Sequence, residues 1–183
     1  AIGSNALYSN TNAEYNIGIG AYALYSNNSS GDNNIAIGNR ALYSAAGGGI
    51  LNVAIGGLAL YNATGFLNIN NVAVGYQSLY QNTQGYQNTA VGRNALYTNT
   101  TGTDNTALGN FADVGSANLS NATAIGADAI VNATNKVVIG SNTAGMVIGG
   151  YAPWSNLSDG RFKENVKEDV PGLKFINKLH PVT

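Results

Sequence analysis

The sequence predicts an all-β chain, a parallel β-roll or solenoid of coils about 17 residues long, and three observations carry that prediction. The first is a period. A short phrase, clearest in Asn34-Ile35-Ala36-Ile37-Gly38, closes on Gly3, Gly20, Gly38, Gly56, Gly75, Gly92, Gly109 and Gly126, in steps of 17, 18, 18, 19, 17, 17 and 17 residues. One strand signal per step is too short a unit for a helical repeat and fits a coil that adds one rung to a stack. The second is the column three before the glycine: Ile17, Ile35, Val53, Val72, Thr89, Thr106 and Thr123 are all β-branched, as a partly buried strand prefers. The third is composition. Only 9% of the residues are charged, against about 25% in a typical soluble protein, and the net charge is -1. Disorder normally comes with high net charge and few β-branched residues, so this chain reads as ordered, uncharged and repetitive.

Within each phrase the residue two before the glycine is small (Gly18, Ala36, Ala54, Ala73, Ala90, Ala107, Ala124), and the next is aliphatic (Ile19, Ile37, Ile55, Val74, Val91, Leu108, Ile125). Side chains alternate faces along a strand, so the β-branched and aliphatic columns share one face and the small column takes the other. The bulky face is expected to hold the coil together. The small face is expected to meet a closely packed backbone, either the opposite wall of the coil or a neighbouring chain. The glycine supplies a corner conformation that a Cβ would penalise. Ala-Leu-Tyr follows at residues 6–8, 23–25, 41–43, 59–61 and 95–97, with Ser78-Leu79-Tyr80 in the same place. Stacking sets the leucines in one core column and the tyrosines in another, with rungs about 4.8 Å apart. Tyrosine buries its ring and leaves the hydroxyl wet, which suits an edge, an intersubunit seam or a ligand-facing stripe. The rest of each coil, such as Gln81 to Tyr86 and Thr98 to Asp104, is turn sequence and is expected to form an outward loop. The asparagine before each strand (Asn16, Asn34, Asn52, Asn71, Asn88, Asn105) keeps one register and is expected to hydrogen-bond along the axis as a ladder.

A coil of this length has a contour of roughly 55 Å, which leaves one thin layer of side chains and little core of its own. Such a stack gains most by lying against copies of itself, and a homotrimer is the first expectation. The phrase Asn88-Thr89-Ala90-Val91-Gly92 and its relatives resemble the head repeats of trimeric autotransporter adhesins and similar repeats in phage tail fibres. Over residues 1–149 that resemblance implies a trimeric, parallel β-roll. The opening Ala1-Ile2-Gly3 reads as the tail of a repeat, so the chain is expected to be a piece of a longer protein.

After Gly126 the rhythm shortens, to Gly140 and then Gly149, and Phe111-Ala112-Asp113 and Ala127-Asp128-Ala129 replace Ala-Leu-Tyr. The cross-section is therefore expected to change before the roll ends. Residues 150–157 read as a linker. Residues 159–183 then hold nine of the seventeen charged residues, which marks a domain boundary. The run from Ser158 to Val166 and the run from Gly172 to Val182 are together similar to the opening of the intramolecular chaperone domain found at the C-terminus of endosialidases and other tail-fibre proteins. On that resemblance, 158–183 is the beginning of a module that helps three chains assemble and often cuts itself free through a Ser-Lys dyad. The matching positions are Ser158 and Lys163. A lysine acts as base only when burial or a nearby cation lowers its pKa, and Arg161 offers that cation. Read from the residues alone, Ser158 starts a turn and Lys163 is a solvated strand residue. Pro171 to Leu179 reads as a short helix with Leu173, Ile176 and Leu179 on one side, so a small α+β segment is expected to follow the roll.

Other chemistry is sparse. His180 is the only histidine and precedes Pro181, which favours packing over catalysis. Asp32, Asp104, Asp113 and Asp128 fall in separate repeats, so no paired carboxylates of a glycosidase can be argued. Gly47-Gly48-Gly49 lacks the Lys and Ser/Thr of a phosphate loop. The roll offers only Arg40, Arg93 and Lys136 to phosphates, so nucleic acid is not an expected partner. No apolar run approaches the roughly 20 residues of a membrane span, and Cys 0 removes thiolate metal sites and disulfides. The expected function is a structural and adhesive fibre segment, extracellular on a virion tail fibre or tailspike, partnered by itself and by a host-surface glycan or protein receptor. It is expected to need no metal or other cofactor, and not to be an enzyme beyond a single self-cleavage. A bacterial trimeric surface adhesin or extracellular filament subunit is the alternative.

Overall fold

The computed structural model describes residues 1–27, 31–45 and 49–141, and the expected linker, chaperone segment and short helix lie outside them. The described residues form a β-solenoid. Eight strands, β1 (Ile17–Ile19), β2 (Ile35–Ile37), β3 (Val53–Ile55), β4 (Val72–Val74), β5 (Thr89–Val91), β6 (Thr106–Leu108), β8 (Thr123–Ile125) and β10 (Val137–Ile139), form one parallel sheet in chain order. Register is exact to the residue, with Ala54 opposite Ala73, Ala73 opposite Ala90 and Ala90 opposite Ala107. The 14-residue coil that ends at Gly140 still brings β10 into register with β8.

Each strand is only three residues long, so the corners carry as much of the stack as the strands do. The glycine that closes the phrase takes φ values far into the positive region, 132° at Gly75. A Cβ there would also lie 2.5 Å from the carbonyl oxygen of Gly92 in the next coil. Conformation and close approach therefore both exclude a side chain. The residue two after the glycine and the leucine four after it are left-handed as well, as in Gln77 (φ 54°) and Leu79 (φ 49°), and so is the residue before the axial asparagine, as in Gln87 (φ 56°). A non-glycine residue costs about 1–2 kcal/mol in that region. What fixes it is a hydrogen bond between coils: Gln77 N–H donates to Gly57 O at 3.0 Å, Leu79 N–H to Ala95 O at 2.9 Å, and Gln87 N–H to Ile69 O at 2.9 Å.

The orientation of the strands corrects the sequence reading. The small column is the inner one, with Ala36, Ala54, Ala73, Ala90, Ala107 and Ala124 fully buried. The bulky columns face outward: Ile17, Ile19, Ile55, Leu108, Val137 and Ile139 are exposed and their counterparts half-buried. The reason is thickness. The leucine column (Leu24, Leu42, Leu60, Leu79, Leu96) fills the interior, and a Cβ on Gly18 would already sit 3.1 Å from Leu7 Cγ. A strand this close to the leucine wall has room for a methyl group and nothing larger.

The expected asparagine ladder is present and buried. The Oδ1 of Asn34, Asn52, Asn71 and Asn88 accepts the backbone N–H of the next asparagine along the axis at 2.9, 2.9, 3.0 and 3.0 Å. A second buried asparagine column runs where the sequence predicts outward loop. Asn27, Asn82 and Asn99 are fully buried and donate through Nδ2 to the carbonyls of Gly31, Gly85 and Gly102 at 2.9, 2.9 and 3.1 Å. Those glycines are small because a Cβ on any of them would overlap the asparagine Oδ1. In the 19-residue coil the pair is exchanged: Ala63 stands in the asparagine column, Asn68 in the glycine column, and Asn68 Oδ1 accepts from Asn71 Nδ2 at 2.9 Å.

The coil after Gly38 has neither arrangement, nor has the coil after Gly109, where Ser116 and Leu119 take the two places. In the first of these Ala45 and Gly49 leave the column without an amide, and Asn27 Oδ1 one coil earlier is buried without a partner, as is Asn10 Oδ1 before it. In the intact part of the column the equivalent atom, Asn82 Oδ1, accepts from Asn99 Nδ2 at 2.8 Å. Ala45→Asn should therefore give Asn27 Oδ1 a donor, and give Gly49 O a second donor beside Asn34 Nδ2 at 2.7 Å, and stabilise the roll by about 1 kcal/mol. A thermal melt followed by circular dichroism should show a midpoint about 2–4 °C higher. A lower midpoint would mean that the gap is filled in another way.

Candidate functional site

Three surfaces stand out once the coils are stacked. The first is the outer face of the eight-stranded sheet, where two bulky columns run the length of the stack. Eight rungs at about 4.8 Å make a stripe roughly 34 Å long. Its N-terminal half, β1 to β4, is aliphatic on both columns, and Thr89, Thr106 and Thr123 replace one of them in β5, β6 and β8 before Val137 in β10. A contiguous apolar face of this kind exceeds what scattered surface hydrophobics produce.

The second is the tyrosine column. Tyr8, Tyr25, Tyr43, Tyr61, Tyr80 and Tyr97 stack face to face, with ring centroids 5.1 to 5.3 Å apart and planes within 2 to 10° of parallel. The left-handed leucine before each tyrosine sets this up, because it turns its own side chain inward and the next one out. Ring faces are taken up by the neighbours, so the edges and hydroxyls remain exposed. Tyr22 leans on Tyr25 and Tyr43 at a 54° tilt, and the Arg40 guanidinium lies 5.8 Å from the Tyr22 ring centre. Partial burial, followed by the neighbouring phenols of Tyr61, Tyr97 and Tyr76, pushes the Tyr80 hydroxyl above the usual tyrosine range.

The third is a surface groove of about 290 Å³ between the 19-residue coil and the next, lined by Leu67, Ile69, Asn70, Tyr86 and Gln87. Phe66 beside it is 82% exposed. The lining is apolar and amide, with the Tyr86 phenol as its one ionisable group.

Asp113 ends the tyrosine column. In earlier coils the N–H after the tyrosine donates to the next tyrosine carbonyl: Ser26 to Tyr43 at 3.0 Å and Ser44 to Tyr61 at 3.1 Å. Thr98 has no tyrosine ahead of it, and its N–H and Oγ1 donate instead to Asp113 Oδ2 at 3.1 and 2.7 Å. The corner at the leucine position is lost here. Asp113 joins β7 (Asp113–Val114), Val114 turns inward in place of leucine, and β7 pairs with β9 (Ile130–Val131). This is the change of cross-section that the altered phrase predicted.

Among the described residues no three His, Cys, Asp or Glu side chains come together to hold a metal. Ser158 and Lys163, the two site residues singled out in the sequence, lie outside the described residues, as does His180. The signal that sequence reasoning missed was the fixed Asn-to-Gly spacing at Asn82–Gly85 and Asn99–Gly102, hidden in low-complexity polar runs. Compared with known proteins, the chain matches no family model, no curated protein and no solved structure.

Burial raises the pKa of the Asp113 carboxyl, and the hydrogen bonds from Thr98 and from the Val114 N–H offset only part of that rise. Between the ordinary carboxylate value and the raised one, the folded chain therefore holds a proton that the unfolded chain has released. The stability this group contributes is full below that window and is lost as pH rises through it. Asp113→Asn keeps an acceptor for Thr98 and removes the titration. Its melting midpoint relative to the parent should be higher at pH 7 than at pH 3, and an equal difference at both pH values would contradict the assignment.

Proposed function

We propose that this chain is a segment of a homotrimeric extracellular fibre, a phage tail fibre or tailspike shaft, whose C-terminal residues begin a chaperone module that assists trimer assembly. The observation that carries this reading is the outward apolar face of the parallel sheet. One column of Ile, Val and Leu along eight rungs, and a second that is aliphatic on five of them, are unfavourable in water by about 25 cal/mol per Å² of apolar surface, and a second and third copy of the same face would remove that surface from water. Matching rungs, low charge and three-residue strands make the copies complementary to one another. The resemblance of the phrase to trimeric adhesin heads supports three as the number. The rod then presents its polar loops and tyrosine edge to the outside, where a host-surface glycan or protein receptor would meet it.

On this reading Ser158 and Lys163 form the self-cleavage dyad of the module, with Ser158 as nucleophile and Lys163 as its base. The resemblance of the roll to adhesin heads also supports a second reading, a bacterial trimeric surface adhesin. A membrane-anchoring barrel in the remainder of the gene would favour that reading, and completion of the chaperone domain would favour the fibre.

The test is the mass of the full-length gene product in solution by sedimentation. A trimer is expected, and Val74→Asp, which places a charge in the middle of the apolar face, should weaken it by about 2 kcal/mol or more per copy. A folded monomer would sink the proposal. On a denaturing gel the same product should give two bands, and Ser158→Ala one.

A further inference from the structure

We propose that the tyrosine column is a site of oxidative modification, at which neighbouring rungs couple through their ring carbons to dityrosine and link successive coils covalently. Two observations carry this. The first is geometric: five consecutive ring pairs lie parallel at 5.1 to 5.3 Å, so each phenol of the column has a phenol as its nearest stacking partner. All six rings are also at least partly exposed at their edges. The second is compositional. The sequence has no cysteine, and its single methionine and single tryptophan, Met146 and Trp154, both lie beyond Gly140. Along residues 1–140, which hold all the stacked strands, the phenol is therefore the most easily oxidised side chain.

The chemistry balances with a peroxide, used by a haem peroxidase as a one-electron oxidant. Each of two neighbouring tyrosines loses an electron and its phenolic proton and becomes a phenoxyl radical, with spin shared between oxygen and the ortho carbons. The two ortho carbons form one bond, and each gives up its hydrogen as a proton while the ring regains its phenol. Two tyrosines and one hydrogen peroxide thus yield one dityrosine and two waters. Every crosslink lowers the mass of the chain by two hydrogens. The stack favours this outcome over coupling between separate molecules because it holds the second ring beside the first before either is oxidised. The inference concerns neighbouring coils of one chain and holds whether the roll is single or trimeric.

The test uses the folded chain and a small oxidant, persulfate activated by a light-excited ruthenium complex, which accepts the same two electrons and leaves two sulfates. Peptide mapping should find crosslinks between consecutive rungs, such as Tyr43 with Tyr61 and Tyr80 with Tyr97. On a denaturing gel the product should remain at the mass of one chain. Dityrosine fluorescence should be at least about tenfold stronger than for the same chain oxidised in urea. Tyr61→Phe keeps a stacked ring and should abolish links to Tyr43 and Tyr80 while leaving the Tyr80–Tyr97 link. Equal yield in urea, bonds mainly between chains, or bonds mainly at the off-column residues Tyr15 and Tyr86 would overturn the proposal.

Discussion

The hydrogen bond from one coil to the next is the constraint on which the rest of this structure depends. It operates at the corners as well as in the strands. Each left-handed corner would cost about 1–2 kcal/mol in isolation. In the stack its N–H has an acceptor fixed by the neighbouring coil, as when Leu60 donates to Ser78 O at 2.9 Å and Leu58 to Asn39 O at 2.9 Å. A coil must therefore place its corners where its neighbours place theirs. This is why the phrase repeats with so little change, and why insertions fall in the polar third of the coil and not between the glycine and the tyrosine.

The same constraint explains a core that is polar along two of its columns. A thin coil leaves asparagine side chains with no route to water, and from Asn34 onward the two columns satisfy their amides on a carbonyl or on a neighbouring asparagine, whereas Asn10 Oδ1, Asn16 Nδ2 and Asn27 Oδ1 stay unpartnered. Asn71 shows the limit of this economy: its Nδ2 lies within hydrogen-bond distance of Asn52 Oδ1, Asn68 Oδ1 and Gly85 O. The exchange of Ala63 and Asn68 shows that the network specifies an amide in a place, not a residue at a number. Apolar volume that does not fit beside the leucine column is displaced to the outside of the sheet. The outward Ile and Val columns are thus a consequence of the coil being thin, and the proposed trimer is the arrangement that would cover them.

Much of this was legible in the residues. Strand, corner glycine, leucine column and axial asparagines each recur at one position, because stacking imposes the same geometry on every coil. The direction of the strand was not legible. Alternation separates Ile35 and Ile37 from Ala36 but does not say which side is interior, and the usual preference for burying the larger side chain points the wrong way when the opposite wall is a leucine at close range, as Leu7 is to Gly18. Nor was the left-handed backbone at Leu42 or Leu79, since nothing in leucine's intrinsic preference announces it. The column of Asn27, Asn82 and Asn99 was hidden for a different reason: in a run of Asn, Thr and Ser, a buried amide and a solvated one look alike. The dyad at Ser158 and Lys163 rests on the sequence alone.

If the corners belong to the axial ladder, their amides must be as protected as those of the strands. Hydrogen exchange resolved by residue measures this directly. The N–H groups of Leu60, Leu79 and Leu96 should exchange as slowly as those of Val72 and Thr89, all five being donors to a neighbouring coil. Corner amides that exchange as fast as the solvent-facing loops, while the strand amides stay protected, would contradict the claim that the corners hold the stack.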